Sequence, residues 1–230
     1  ADERGLSLDE LADRTVPTLG LDARGEMALD FGPRSFTARL NGELLPQVFD
    51  AQGSRLKELP KPNSKDDPTL GKDATTRWRE LKKQAKLVAS AQILRLENAM
   101  CAQRRWPVAD FLAFFAQHPV LRHLSQRCVW AVFDADGHWQ HGFRVAEDLT
   151  LTDVRDEPFA PPADARIGLP HPLEIPADAL AAWGQMLADY AILQAFAQLG
   201  REVFTLPPEQ AARDDLPHYA GRRVGPGSLL

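Results

Sequence analysis

The stretch from Asp73 to Trp106 constrains this chain more than any other, because its apolar residues keep helical spacing throughout and change arrangement halfway along. In the first half Trp78, Leu81, Ala85 and Val88 recur every three or four positions and form one stripe of an α-helix. In the second half Leu96, Ala99 and Met100 prolong that stripe, while Leu87, Ala91, Leu94 and Cys101 form another. A helix apolar on two sides is expected to lie between two layers. Asp73 is the expected N-cap, and Pro107, just past Trp106, ends or kinks the helix.

Two polar strips separate the apolar rows. One carries Arg79, Lys82, Lys83 and Lys86, and continues through Ser90, Glu97 and Arg104. Its basic half reads either as the solvated face of an amphipathic helix or as a contact for phosphates or an acidic partner. The other strip is narrow, with Gln84, Arg95 and Asn98, and makes Arg95 the charge most exposed to being forced inside. A buried arginine requires a partner or an anion. Arg95, Glu97, Asn98 and Arg104 are therefore a candidate buried polar or ligand site, with a structural ion pair as the plainer reading.

Around this helix the chain reads as α+β: an antiparallel β-meander and hairpins packed around a long central helix, with additional shorter helices. Ser7 and Glu10 form a capping box for a helix over Leu8 to Asp13, with Leu6 and Leu11 as its hydrophobic staple. Asp22 to Gly25 is a turn, followed by strands over Glu26 to Phe31, Ser35 to Leu40 and Leu44 to Phe49. Asn41-Gly42 reads as a tight hairpin turn, and Pro46 places the return strand at an edge or a bulge. Asp50 to Gly53 turns the chain into Arg55 to Leu59. Residues 1–59 thus make a helix and meander, 60–72 an exposed connector rich in proline and charge, and 73–126 the helical part.

Within that part, Pro107 opens a second helix and His118-Pro119 a third, ending near Gln126. Residues 127–230 hold the rest. Cys128 to Phe133 and Trp139 to Val145 form a hairpin about the turn Asp134 to Gly137. A proline-rich loop follows, with the segment from Ile167 to Pro172 suited to a sheet edge. A helix over Asp178 to Asp189 with Leu180, Trp183, Leu187 and Tyr190 inward comes next, then a strand from Arg201 to Leu206 and a short helix after Pro207.

Composition bounds the function. A net charge of −5 over 230 residues argues against a wholly basic nucleic-acid binder, though it allows a basic patch. The two cysteines make neither a disulfide framework nor a zinc quartet and suit a reduced, cytoplasmic setting. No bilayer-length apolar run and no leader are visible, so no membrane partner is expected. The start at Ala1 and the stop at Gly227-Ser228-Leu229-Leu230 suggest a fragment of a longer protein.

Familiar catalytic patterns are missing. His138 and His141 point to opposite faces of a strand, and His118 and His123 lack the spacing of a metal pair. Counting Gly137 as the sixth position of a calcium loop puts Val132 at the first and Phe143 at the twelfth, so calcium is rejected. Gly71-Lys72 lacks the frame of a phosphate loop, and no nucleophile elbow or dinucleotide fingerprint occurs. Asp153, Asp156 and Glu157 read as turn residues. No catalytic residue, metal or cofactor is assigned.

Several stretches, in order, carry a resemblance: Phe31-Gly32-Pro33-Arg34-Ser35-Phe36; Leu59-Pro60-Lys61-Pro62 with Asp66-Asp67; Arg95-Leu96-Glu97-Asn98-Ala99-Met100 with Arg104-Arg105-Trp106; His118-Pro119-Val120-Leu121; Phe143-Arg144-Val145-Ala146-Glu147-Asp148; and His171-Pro172-Leu173. They resemble a MolR-like bacterial domain of unknown function that sits C-terminal in large proteins, often beside a WGR domain. This chain departs from that pattern at Ala195, where proline is expected, and at Leu149, where glycine is expected. The first departure leaves open whether the helix from Asp178 stops near Asp189 or runs on to Gln198.

The resemblance implies one module of a large cytoplasmic protein, with no established catalytic residues, whose partners are other domains of the same parent and, through the parent, nucleic acid. The leading expectation is a non-catalytic interaction or scaffold module. The alternatives are a nucleic-acid-associated module using the basic helix face and an enzyme of unrecognised type with a site near Arg95.

Overall fold

In the computed structural model of the chain, which describes residues 7–203, 205 and 221, the N-terminal region holds helix α1 (Leu8–Arg14) and a meander of four antiparallel strands. The capping box of Ser7 and Glu10 is formed as expected, whereas Leu6 of the expected staple lies outside the described residues. Strands β1 (Glu26–Asp30), β2 (Ser35–Leu40), β3 (Pro46–Phe49) and β4 (Arg55–Leu56) follow in sheet order. Alternation buries Met27, Leu29, Phe36, Ala38, Leu40 and Val48. Leu29 lies opposite Phe36, and Ala38 is opposite Met27 on one side and Val48 on the other.

One turn design recurs. At Asp22, Asn41, Asp50, Asp134 and Asp153 the side-chain Oδ1 accepts from the amides two and four residues on. The residue three positions on takes a left-handed φ: Gly25, Leu44, Gly53, Gly137 and Asp156. Asn41-Gly42 is therefore not a two-residue turn. Leu44, not Gly42, adopts the left-handed conformation, so β3 starts at Pro46 instead of Leu44. Leu149, three residues after Ala146, has φ of 70° and completes a sixth such loop without the Asx cap. This backbone explains why glycine suits that position.

The long helix, α2, spans Pro68–Cys101, so it begins before Asp73 and ends before Trp106. Its N-cap is Asp67, which accepts from the amides of Thr69 and Leu70, and Pro68 sits where its missing N–H costs nothing. The connector is shorter than the expected 60–72 and is anchored: Asp66 is buried, pairs with Arg34 and accepts from the Asn63 amide, while the Asp67 amide donates to the Phe31 carbonyl. At the other end Gln103 turns left-handed, and Arg105–Pro107 becomes strand β5.

Trp78, Leu81, Ala85, Leu96, Ala99 and Met100 are buried, as the first stripe requires, while Val88 of the same stripe is half-buried. The second row is not. Leu87 and Leu94 are 65% and 58% exposed, Ala91 is exposed, and Cys101 is half-buried. The first half of α2 packs on β1 and β3, its last turns join the buried cluster shared by the two sheets through Leu96, Ala99 and Met100, and no residue from 86 to 95 is fully buried. The helix bridges two sheets instead of being sandwiched along its length.

The second sheet has the order β5-β9-β6-β7-β8, with every pairing antiparallel: β6 (Trp130–Phe133), β7 (Trp139–Val145), β8 (Leu151–Thr152) and β9 (Arg166–Gly168). β9 lies inside the sheet, not at its edge, because Ile167 pairs with Trp106 on one side and Val132 on the other. β6 is buried at every residue, as a strand covered on both faces must be.

One face meets α3 (Val108–Phe111), the π-helical turn Leu112–Ala116 and α4 (Arg122–Ser125) through Trp106, Phe111, Phe115, Trp130 and Phe143. The other meets α5 (Ala177–Asp189), whose Trp183 sits so close to Gly142 that an added Cβ would lie 2.5 Å from its indole nitrogen. α5 stops at Asp189 and does not run to Gln198. Tyr190, expected inward, is half exposed, with its hydroxyl donating to Asp156. Arg201 to Val203 and Thr205 are irregular instead of a strand, and the expected helix after Pro207 lies outside the described residues. The architecture is α+β, with antiparallel sheets joined by a long helix.

Candidate functional site

The folding of α1 back over the end of α2 brings together what the sequence keeps far apart. Asp13, in the last turn of α1, has a side chain only 2% exposed. Arg95 approaches its Oδ1 at 2.9 Å. Arg104 and the Trp106 indole N–H both donate to its Oδ2, each at 2.8 Å. Arg104 also stacks over the Trp106 ring and lies 3.9 Å from Asp9. One carboxylate thus pairs with two guanidiniums and an indole: Oδ2 accepts two hydrogen bonds, whereas Oδ1 and the Arg95 nitrogens face each other as an ion pair with no hydrogen bond made by either.

The four residues expected to share a polar site divide. Arg95 and Arg104 meet on Asp13. Glu97 faces elsewhere and pairs with Arg201 at 2.6 Å. Asn98 is exposed and contributes its main-chain carbonyl to the Ala102 amide. The guanidinium nitrogens of Arg95 are sealed from solvent, and burial pulls its pKa below the ordinary arginine value against the opposing pull of Asp13. Next to this cluster, His118 accepts the amides of Val120 and Leu121 on Nδ1, which leaves Nε2 to donate to the Val16 carbonyl. That neutral tautomer agrees with a pKa lowered by burial.

Asp13 and Trp106 were not foreseen as site residues. Asp13 meets Arg104 and Trp106 across 91 and 93 positions of sequence, and nothing local to Asp13 distinguishes it from an exposed helix-end acid.

The basic face of α2 is assembled differently. Arg79, Lys82, Lys83 and Lys86 are all exposed. Lys82 bonds to Glu58 at 2.7 Å and lies over the Trp78 ring, and the Trp78 indole also donates to Glu58. Arg79, Lys83 and Lys86 have no ion pair or side-chain hydrogen bond among the described residues. They border the exposed row of Leu87, Ala91 and Leu94.

Elsewhere, polar groups face inward to the backbone. A cleft of about 290 Å³ is lined by Gly42, His123, Gln126, Arg127 and the segment 191–193, among others. Arg127 donates to the carbonyls of Gly42, Leu193 and Gln194, and Gln126 to that of Ala146. Burial, assisted by Arg122, depresses the His123 pKa to about 4. Arg144 is buried between Glu147 and Asp156 with Tyr190 stacked over it. Asp134, Asp136 and His138 come within 4.8 Å of one another at the surface. The Asp134 Oδ1 already closes its turn, and Oδ2 accepts from Gln140. Among the described residues no helix is long and apolar enough to cross a membrane.

The sequence profile of a family described as a domain of unknown function, DUF4132, matches residues 53–230. Uncharacterized protein YehI of Escherichia coli (strain K12) is 40% identical over 232 residues, covering 100% of this chain and 19% of that protein. The chain therefore spans about a fifth of the length of that relative. No solved structure matches.

Proposed function

This chain belongs to the DUF4132 family of domains of unknown function, and from that premise we propose that it is a non-catalytic protein-interaction module of a larger multidomain bacterial protein. The carrying observation is the open middle of α2: two leucines more than half exposed, with three cations beside them that have no ion pair among the described residues, on a helix otherwise anchored at both ends. The occupant of this face is another part of the same parent protein. The relative of which this chain covers 19% supports that reading, since most of that protein lies outside the matched part.

A nucleic-acid role for the basic face is the weaker reading. Phosphates would reward Arg79, Lys83 and Lys86 but leave Leu87 and Leu94 uncovered, and Lys82 is already engaged by Glu58. An enzyme centred on Arg95 is weaker still, because its guanidinium is sealed and committed to Asp13. The ordered run of motifs supports a MolR-like, WGR-associated parent, the two free cysteines a cytoplasmic one, and the buried cluster running from the first sheet to the second supports a single α+β unit.

The test is chemical protection. Leu94→Cys, in a Cys101→Ser background, is labelled with a maleimide in the 230-residue chain and in the longer parent. Labelling is expected to slow by roughly tenfold or more in the parent, as burial in an interface demands; equal rates would overturn the proposal.

A further inference from the structure

The chemistry bordering the open row narrows what can cover it. We infer that the middle of α2 docks an acidic amphipathic helix, whose apolar residues seat on Leu87, Ala91 and Leu94 and whose carboxylates meet Arg79, Lys83 and Lys86. This rests on the interaction reading above and specifies its partner.

Helical geometry supplies the first part of the argument. At about 100° per residue, Leu87 and Leu94 lie roughly 20° apart, with Ala91 about 40° beyond Leu87 on one side and Lys83 about 20° beyond Leu94 on the other. Two leucines one heptad apart with an alanine between them present two knobs and the hole that receives a third, the surface a second helix fits. The free surface from Lys83 to Asn98 is about 22 Å long, or four helical turns. A sheet edge gains nothing here, because the backbone groups of α2 are spent within the helix.

Charge supplies the second part. Between Glu80 and Glu97 the helix carries Lys82, Lys83, Lys86 and Arg95 but no acid, although the whole chain has a net charge of −5. Arg95 is committed to Asp13 and Lys82 to Glu58. Glu80 keeps its charge, with a 3.4 Å hydrogen bond from Gln84, but it lies N-terminal to the surface that starts at Lys83. The surface offered to a partner is therefore an apolar row with a cationic border, and its complement is an apolar row with an anionic border.

The probes are a capped 21-residue peptide with leucine on one helical face and glutamate on both flanks, and its counterpart with lysine replacing every glutamate. Binding to the 230-residue chain is read by fluorescence anisotropy at low and high salt. The glutamate peptide is expected to bind, to weaken roughly tenfold on Leu87→Glu/Leu94→Glu, and to weaken with salt. Lys83→Glu/Lys86→Glu is expected to exchange the preference, so that the lysine peptide binds better. Equal binding of both peptides, unmoved by the charge reversal, overturns the acidic partner while leaving the interaction reading intact. Binding of neither also overturns it, and the Leu94 labelling rate in the parent then decides separately whether the interaction reading falls. Tighter salt-dependent binding of a DNA duplex than of the glutamate peptide overturns it in favour of nucleic acid.

Discussion

Two neighbouring parts of one helix use the same residue types to opposite ends. In the last turns of α2 an arginine between apolar rows is buried, because α1 carries Asp13 to it and Arg104 and Trp106 close the cluster. On the adjoining surface, from Lys83 to Leu94, leucines and lysines at the same helical spacing remain in solvent, because neither sheet reaches them. The lesson is that a helix pattern fixes which side chains share a face but not whether anything arrives to cover it. The contrast can be attacked from its strongest point downward.

Asp13→Ala should have the largest effect. It removes the anion that two guanidiniums pair with and the acceptor of the Trp106 indole N–H, a loss of about 3–5 kcal/mol. Chemical denaturation of the variant should show the full drop, and α1 should detach before the sheets melt. Wild-type stability for Asp13→Ala would mean that the cluster is as solvated as the middle of α2, and the comparison would collapse.

Arg95 comes next, and the choice of replacement matters. Arg95→Ala removes both the charge partner and the volume of a side chain only 16% exposed, at a cost of about 3 kcal/mol. Arg95→Met keeps most of the volume, and Asp13 retains Arg104 and Trp106, so about 1–2 kcal/mol is expected. Thermal melts of the pair should rank wild type, methionine, alanine. Equal melting of alanine and methionine would show that filling the space contributes nothing.

Acid separates buried from open ground by a different route. The folded-state pKa of His123 is about 4 and its unfolded value is near 6.5. Between those values the unfolded chain binds a proton that the folded chain refuses, so stability falls as pH drops from about 6.5 to 4 and then levels, a loss on the order of 3 kcal/mol. His118 and His171, also shifted downward by burial, act with the same sign. His123→Gln should flatten the slope of urea midpoint against pH over that window. α2 itself carries no histidine, so variants in its open middle should leave the slope unchanged.

How far the sequence could be read follows the same division. Local chemistry was legible: the Ser7 and Glu10 capping box, the Asp-x-x-Gly turns, the strand Trp139–Val145 and the inward stripe from Trp78 to Met100 all stand as the residues dictate. Two local signals compete at the start of α2. Asp67-Pro68 is a strong helix start, but it lies inside a polar, proline-containing stretch that reads as connector, which moves the expected N-cap to Asp73. Long-range chemistry was not legible. Arg95 announces by its position that it needs a partner, yet nothing near Asp13 says that it is the one. The exposure of Leu87 and Leu94 was equally hidden, because a second apolar row looks the same whether its covering layer is present or absent.

The smallest effect is the most telling. Leu87→Gln/Leu94→Gln replaces two large apolar side chains, a change that in a core would cost several kcal/mol. Because these leucines are 65% and 58% exposed, folding buries little of either, and the double variant should melt within about 0.5 kcal/mol of wild type. Glutamine keeps a good helix former at both positions, so propensity adds almost nothing. A loss of about 2 kcal/mol or more would mean that the row is covered within this chain after all. Unchanged stability together with lost peptide binding would assign the leucines to contact with a partner and leave stability to the Asp13 cluster.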